Sequence, residues 1–338
     1  MKLSIVIPSN RATLSTCARL FEYCSWGSKD IQVVIRDNSC DPKKRDLLSR
    51  IEAENCDIIF TDYCLAWQNT QEAFKLARGD FVVGFGDDDF CEHKAIDMVL
   101  HLIEQHGDDH SLTGITGDYL RERARTSEIL RYPPLDQLDA VERCRNYILS
   151  GDDSNHLVYS VIRREVMSRI LDFIMSMPFE MPYRDWLSTL MQVLSGRFLN
   201  IGRIIYYYDF SVWETKRKDI HWFEEVGLDQ TIHFLYPLYI AYEGCRIIDS
   251  PMICGHLSET ERQTILRTWY GHWHSVFAKG MPQIEASNHI HTIGTALRFK
   301  WINQRNVDFH ELLTDLSDFM GLINRERGQS YYSFWSSL

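Results

Sequence analysis

The chain has 338 residues, 45% of them hydrophobic and 25% charged, a composition that folds and that excludes wholesale disorder. Lysine and arginine number 36 against 47 acids, a net charge of −11, which excludes a protein whose main work is gripping nucleic acid. At roughly 150 residues per domain, the length predicts two domains, or one large domain with an extension.

The opening run M-K-L-S-I-V-I-P is interrupted by Pro8, Asn10 and Arg11 well short of a signal peptide. No stretch approaches the about 20 apolar residues of a spanning helix. The nine cysteines, odd in number and without a C-x-x-C pair, read as reduced thiols rather than a disulfide framework or a zinc site. The expectation is a cytoplasmic protein, with one face free to rest on the inner side of a membrane.

Strand and helix signals alternate from the start. Leu3–Ile7 is an apolar run ending at Pro8, and Ala12–Tyr23 has helical spacing. Ile31–Ile35 is a β-branched run stopped by Asp37-Asn38-Ser39. Arg45–Glu54 reads as helix and Asp57–Phe60 as a short strand. Thr70–Ala77 reads as helix, ended by Arg78-Gly79. Phe81–Phe85 is a third buried strand, running into Gly86-Asp87-Asp88-Asp89, and Ala95–Ile103 is an amphipathic helix. This alternation predicts an α/β fold with a mostly parallel sheet flanked by helices.

Further on, Leu112–Tyr119 reads as strand, Arg121–Pro134 as an irregular loop and Leu138–Leu149 as helix. Leu157–Ile162 reads as strand, Arg164–Met175 and Trp186–Leu194 as helices, and Phe198–Tyr208 as a strand ending in three tyrosines. After Asp209 the texture changes: six of the nine tryptophans and eight of the thirteen histidines lie there, in helical patterns such as Thr260–Phe277 and Ile284–Ile302. The expected organisation is a domain over 1–209 and a helical extension over 210–338.

The sharpest chemical feature is the acidic triplet Asp87-Asp88-Asp89 after a buried strand. Adjacent carboxylates repel, and they are tolerated most easily beside a cation or in water. Mg²⁺ and Mn²⁺ prefer such oxygens and bridge them to phosphates. The carboxyl end of a parallel strand is also where open α/β sheets bind ligands. The local alternative is a solvated turn that caps the next helix. Asp37, ending Val33-Val34-Ile35-Arg36, has the chemistry to accept hydrogen bonds from a nucleobase or ribose, or to close the strand as an Asx turn. Gly84-Phe85-Gly86 lacks the third glycine of a dinucleotide fingerprint.

Four motifs stand in order within the first 90 residues: Leu3-Ser4-Ile5-Val6-Ile7-Pro8-Ser9-Asn10-Arg11, the strand into Asp37-Asn38-Ser39, the helix from Asn69 through Ala73 and Ala77 to Gly79, and the strand into Asp87–Asp89. Their order and spacing resemble the family 2 glycosyltransferases of the GT-A fold. Gln71 and Glu72 depart from that pattern, where asparagine and a basic residue are frequent. The resemblance covers about residues 1–209 and implies a Rossmann-like GT-A domain. It implies inverting transfer of a sugar from a nucleotide-diphosphate donor, a UDP-sugar, to a hydroxyl of a saccharide or lipid-linked saccharide, in surface polysaccharide assembly. It assigns the donor nucleotide to Pro8, Ser9, Asn10, Arg11, Asp37, Asn69, Asp87 and Asp88, and Mn²⁺ or Mg²⁺ to Asp87 and Asp89. Asp88 is expected to align the donor sugar or its ribose.

The resemblance also places a catalytic base about a hundred residues after the metal motif. Pro182-Tyr183-Arg184-Asp185-Trp186-Leu187 fits, with Asp185 as the base and Glu180 as its rival. Read locally, Asp185 is an N-cap of helix 186–195. His221, His256 and His272 are the candidates for a late histidine ligand. The tryptophans of the extension read as packing between helices, or as a sugar platform or lipid-facing surface. Two other functions fit parts of the pattern. A sugar-nucleotide nucleotidyltransferase needs a glycine-rich loop after the first strand, and Ser9-Asn10-Arg11-Ala12-Thr13 has none. A non-catalytic saccharide-binding scaffold would have no use for Asp87, Asp89 and Asp185 together.

Overall fold

The computed structural model describes residues 1–338 apart from 13, 124, 132, 151–153, 180, 182, 210–231, 233–234, 280–288 and 305–306. Glu180, Pro182 and His221 lie outside the described residues, as does the start of the expected extension.

The first half is built from β1 (Leu3–Ser9), α1 (Leu14–Cys24), β2 (Ile31–Asp37), α2 (Pro42–Leu48), β3 (Cys56–Phe60), α3 (Ala66–Phe74), β4 (Phe81–Gly84) and α4 (His93–His106). Then follow β5 (Leu112–Glu122), β6 (Ser127–Leu130), α5 (Ala140–Leu149), a 3₁₀ turn over Ser154–Tyr159, β7 (Val161–Arg163), α6 (Arg164–Ser176), α7 (Arg184–Ser195) and β8 (Arg197–Asp209). Helices complete the chain: α8 (Tyr236–Asp249), the short α9 (Pro251–Cys254), α10 (Glu259–Lys279), α11 (His289–Asn303), α12 (Phe309–Ile323) and α13 (Arg325–Ser337).

The strands form one sheet in the order β3-β2-β1-β4-β7-β5-β6, with β8 also on β5. Pairing is parallel through β3-β2-β1-β4 and between β5 and β8, and antiparallel where β7 and β6 join. Alternation along β1 sends Leu3, Ile5 and Ile7 to one face and Val6 to the other. The first set packs with Leu20 and Tyr23 of α1 and with Ile96, Val99 and Ile103 of α4. Val6 packs on the opposite face with Ala73 and Phe74 of α3, and that core continues through α5, α6 and α7 into the C-terminal helices.

Gly79 is fixed by crowding: a Cβ there would sit 2.6 Å from the backbone of Leu3 and Ser4. α8 is buried along nearly its whole length, from Pro237 to Ile248. Trp269, Trp273, Trp301 and Trp335 are all buried in the same core, so these four pack between helices rather than form an open platform. All nine cysteines are thiols. Among the described residues no helix is long and apolar enough to cross a membrane.

Three local expectations are corrected. The segment read as loop between Arg121 and Pro134 contains β6, whose pairing with β5 supplies the order. The strand expected over Leu157–Ile162 divides: its first part is the 3₁₀ turn and only Val161–Arg163 pairs. The second helix starts earlier than Arg45, because Asp41 caps it by accepting from the Lys43 and Lys44 amides, with Pro42 at its first position.

Candidate functional site

β1 lies between β2 and β4, so the three strand ends that carry the sequence motifs meet at one carboxyl edge. Ser9 ends β1, Asp37 ends β2, and Asp87–Asp89 follow β4. Asp87 and Asp37 are both buried. Asp87 Oδ2 accepts from Ser9 Oγ at 2.5 Å and from the Arg11 amide at 3.3 Å, while Oδ1 accepts from Arg11 Nη1 at 2.8 Å. The same guanidinium pairs with Asp88.

The residue that ties this edge together is Lys44, on α2, with no exposed side-chain surface. Its Nζ donates to Ser9 Oγ at 2.5 Å and to the Arg11 carbonyl at 2.8 Å. It lies 2.7 Å from Asp37 Oδ1, as an ion pair outside hydrogen-bond alignment, and 3.6 Å from Asp87 Oδ2. A fully buried ammonium is tolerated only when paired in this way. In the sequence, Lys43-Lys44-Arg45 looks like a solvated basic run and does not mark out Lys44. The Asp41-Pro42 helix start is the signal that turns one of these side chains inward.

The remaining donor-site candidates divide. Ser39 Oγ donates to Asp37 Oδ2 at 3.0 Å, the turn that closes β2. Asn69 is buried with its amide spent on Arg36 O at 3.3 Å and Asn38 Oδ1 at 3.2 Å, so it braces the β2 end from behind. Pro8 is half-buried and Asn10 exposed on the rim. Gln71 bonds Asp172 at 3.0 Å and Glu72 bonds Lys75 at 2.7 Å, both on exposed surface.

Asp89 turns inward. Its Oδ2 accepts from the Gly86 amide at 2.5 Å, and a Cβ on Gly86 would stand 2.7 Å from that oxygen, so glycine makes room for the turn. Burial, with the Asp88 charge beside it, pushes the Asp89 carboxyl up to about 6. The residues expected to hold Mn²⁺ or Mg²⁺ therefore do not fit one as they stand. Both oxygens of Asp87 are engaged by Ser9 and Arg11, Asp89 faces the loop, and the outward Asp88 already has a guanidinium. No cluster of three ligating side chains exists among the described residues. His256 bonds Leu194 O at 3.2 Å, at the opposite end of α7 from Asp185, and His272 packs beside Trp273.

Asp185 reaches the same region through tyrosines. It occupies the first turn of α7, where Tyr183 and not Asp185 is the N-cap, and its Oδ1 accepts from the Trp186 amide at 3.0 Å. Tyr159 stacks on Tyr206 with ring centroids 3.9 Å apart, and Tyr208 lies 6.2 Å from Tyr159. Burial pushes the hydroxyls of Tyr159 and Tyr208 up, and the charges of both Asp89 and Asp185 add to the effect. The acidic loop and the α7 turn thus flank one tyrosine cluster. The bridge between Phe90 and Tyr207, with Tyr207 Oη donating to Glu92 at 2.6 Å, pins the loop to β8. The sequence shows the three tyrosines in a row but gives no sign of Tyr159, which only the 3₁₀ turn brings over.

No protein-family model matches the sequence, and no curated protein does. Solved structures do. Residues 1–349 of S. aureus TarS superpose with a TM-score of 0.58 at 14% identity, covering 100% of this chain and 91% of that one. The fold is GT-A-like. The TarS complex with UDP-GlcNAc gives 0.57 at 15% identity, covering 100% of this chain and 91% of that chain. Against the longer TarS structure the value is 0.54 at 14% identity, with 98% of this chain and 55% of that chain covered. The GT-A-like fold expected from the motif order is therefore present, and the match runs through the C-terminal helices as well.

Proposed function

We propose that this chain is an inverting glycosyltransferase that moves a sugar from a UDP-linked donor to a hydroxyl of a saccharide or lipid-linked saccharide acceptor. One observation carries the reading: the Ser9–Arg11 turn, Asp37 and the Asp87–Asp89 loop share one sheet edge, while Asp185 approaches the same loop from the other side of the tyrosine cluster. The fold shared with TarS, which has been solved with UDP-GlcNAc, supports the choice of donor class. Its setting in this reading is surface polysaccharide assembly at the inner face of a membrane, with residues 210–338 shaping the acceptor side.

Asp37 and the Ser9–Arg11 turn hold the nucleotide. The acceptor oxygen attacks the anomeric carbon opposite the diphosphate; that C–O bond forms as the bond to the diphosphate breaks. Asp185 takes the acceptor proton, and its place in the first turn of a helix favours negative charge. The leaving diphosphate needs positive charge, and Arg11, more than a third exposed, is a cation at this edge within reach of solvent. The test is a calorimetric titration with UDP. Wild type should bind, and Asp37→Ala should weaken binding about tenfold, as expected for loss of a hydrogen bond involving a charged group. Equal affinity in the two proteins removes Asp37 from the site.

A further inference from the structure

Among the described residues the buried acids are Asp37, Asp87 and Glu243, and the site described above takes in only the first two. Glu243 lies in the middle of α8, 1% exposed, on a helix whose other inward residues are almost all apolar. Burying a lone acid there is costly unless its hydrogen bonds are made. They are made to two distant segments. Tyr183 Oη donates to Glu243 Oε1 at 3.0 Å, and Tyr331 Oη of α13 donates to the same oxygen at 2.9 Å. The positive charge of Arg184 acts on this carboxyl as well.

Tyr183 and Arg184 are the two residues immediately before Asp185. Tyr183 has no side-chain cap of its own to hold the start of α7; its hydroxyl is fixed from below by Glu243 instead. Arg184 is buried and donates to the Phe179 carbonyl. Phe179 in turn packs against Tyr331 at 6.4 Å and under Arg327 of α13 at 5.2 Å. α13 and α8 therefore grip the turn that carries Asp185 through one carboxyl group. A leucine would fill the same space and grip nothing.

Resting on the reading of Asp185 as the base, we propose that Glu243 is a positioning residue: by holding Tyr183 against Tyr331 it sets the Asp185 carboxylate toward the acceptor hydroxyl. The C-terminal helices thereby contribute to the chemical step without touching substrate. Donor binding, at the carboxyl edge of β1, β2 and β4, is expected to be independent of this grip.

The test uses the full chain as wild type, Glu243→Leu, Glu243→Gln and Tyr183→Phe. Three quantities are read: UDP affinity by titration, turnover of the best donor from a panel of UDP-sugars, and amide exchange of residues 183–187. Glu243→Leu is expected to lower kcat 10- to 100-fold, to leave the UDP Kd within twofold, and to speed exchange in the turn at least tenfold. Glu243→Gln keeps an oxygen acceptor for both tyrosines and should restore all three. Tyr183→Phe removes one hydroxyl and should lower kcat 3- to 10-fold with UDP affinity intact. A merely structural role predicts instead that activity per folded molecule and UDP affinity fall together or not at all, and either result overturns the proposal. So does a Gln variant as impaired as the Leu variant. If Glu243→Leu does not fold, Tyr183→Phe decides alone: wild-type kcat and exchange in that protein overturn the proposal. A wild-type chain that neither binds UDP nor releases it from any UDP-sugar refutes the base reading and the catalytic half of this proposal with it. The exchange data then still decide whether Glu243 holds the turn.

Discussion

Replacing Lys44 by methionine is the most demanding perturbation of the candidate donor edge, because the side chain keeps its volume and loses only its charge and three donors. Asp87 would retain Ser9 Oγ at 2.5 Å and Arg11 Nη1 at 2.8 Å. Asp37 would lose the cation 2.7 Å from Oδ1 and keep Ser39 Oγ at 3.0 Å on its other oxygen, while only 3% exposed. Removing one partner of a buried ion pair costs about 3–5 kcal/mol, mostly the penalty of the charge left behind. Urea unfolding of Lys44→Met should show a loss of that order with an unchanged slope. Neutralising the stranded acid should recover part of it, so Lys44→Met with Asp37→Asn should be more stable than the two single losses sum to, by at least about 1 kcal/mol. A loss below about 1 kcal/mol for Lys44→Met, or strict additivity in the double variant, would refute Lys44 as the keystone of this edge.

The Arg11 guanidinium pairs with both Asp87 and Asp88, so Arg11→Ala should free their oxygens and tighten Mn²⁺ binding at least tenfold, read by the loss of the free-ion electron-spin signal; equal binding by wild type would contradict the neutralised state described here. Glu243 gives a pH dependence. Its carboxyl is pushed from 4.5 up to about 8 by burial, with Tyr183, Tyr331, Tyr239 and Arg184 facing it. The native state then keeps a proton that the unfolded chain releases, so the contribution is complete below about pH 4.5 and is lost as pH rises toward 8. That interval is worth about 4–5 kcal/mol at most. Wild-type stability should therefore fall between pH 5 and 8 more steeply than that of Glu243→Gln, and parallel profiles would contradict the assignment.

The parts of the fold legible in the sequence are those fixed by local pattern. β1, β2 and β4 are mainly apolar runs, interrupted by Ser4 and Gln32, that lead into Pro8, Asp-Asn-Ser and an acidic loop, and they stand within two residues of where those signals put them. The candidate donor residues Ser9, Arg11, Asp37 and Asp87 come together because β1 pairs with both β2 and β4, which motif order anticipates. What was not legible depends on partners far along the chain. Ser127–Leu130 is too short to declare itself and becomes a strand on β5. Tyr159 leaves a strand-like run for a 3₁₀ turn, where its ring stacks on Tyr206. Glu243 has no signal in its own stretch of sequence, and its partners come from α13 and the residue before α7. The inward turn of Asp89 depends on Gly86, three residues away, and runs against the outward cation site that an acidic triplet suggests.

Release of UDP from UDP-linked sugars by wild type and by Asp185→Asn tests most directly whether this chain moves sugars. Asp185 is not the helix cap, so the substitution should leave the fold and the UDP affinity nearly unchanged. General-base contributions run about 10²–10⁴-fold, and the release rate should fall by about that factor. Consumption of no UDP-sugar by wild type, or an Asp185→Asn protein that works at the wild-type rate, would contradict the account.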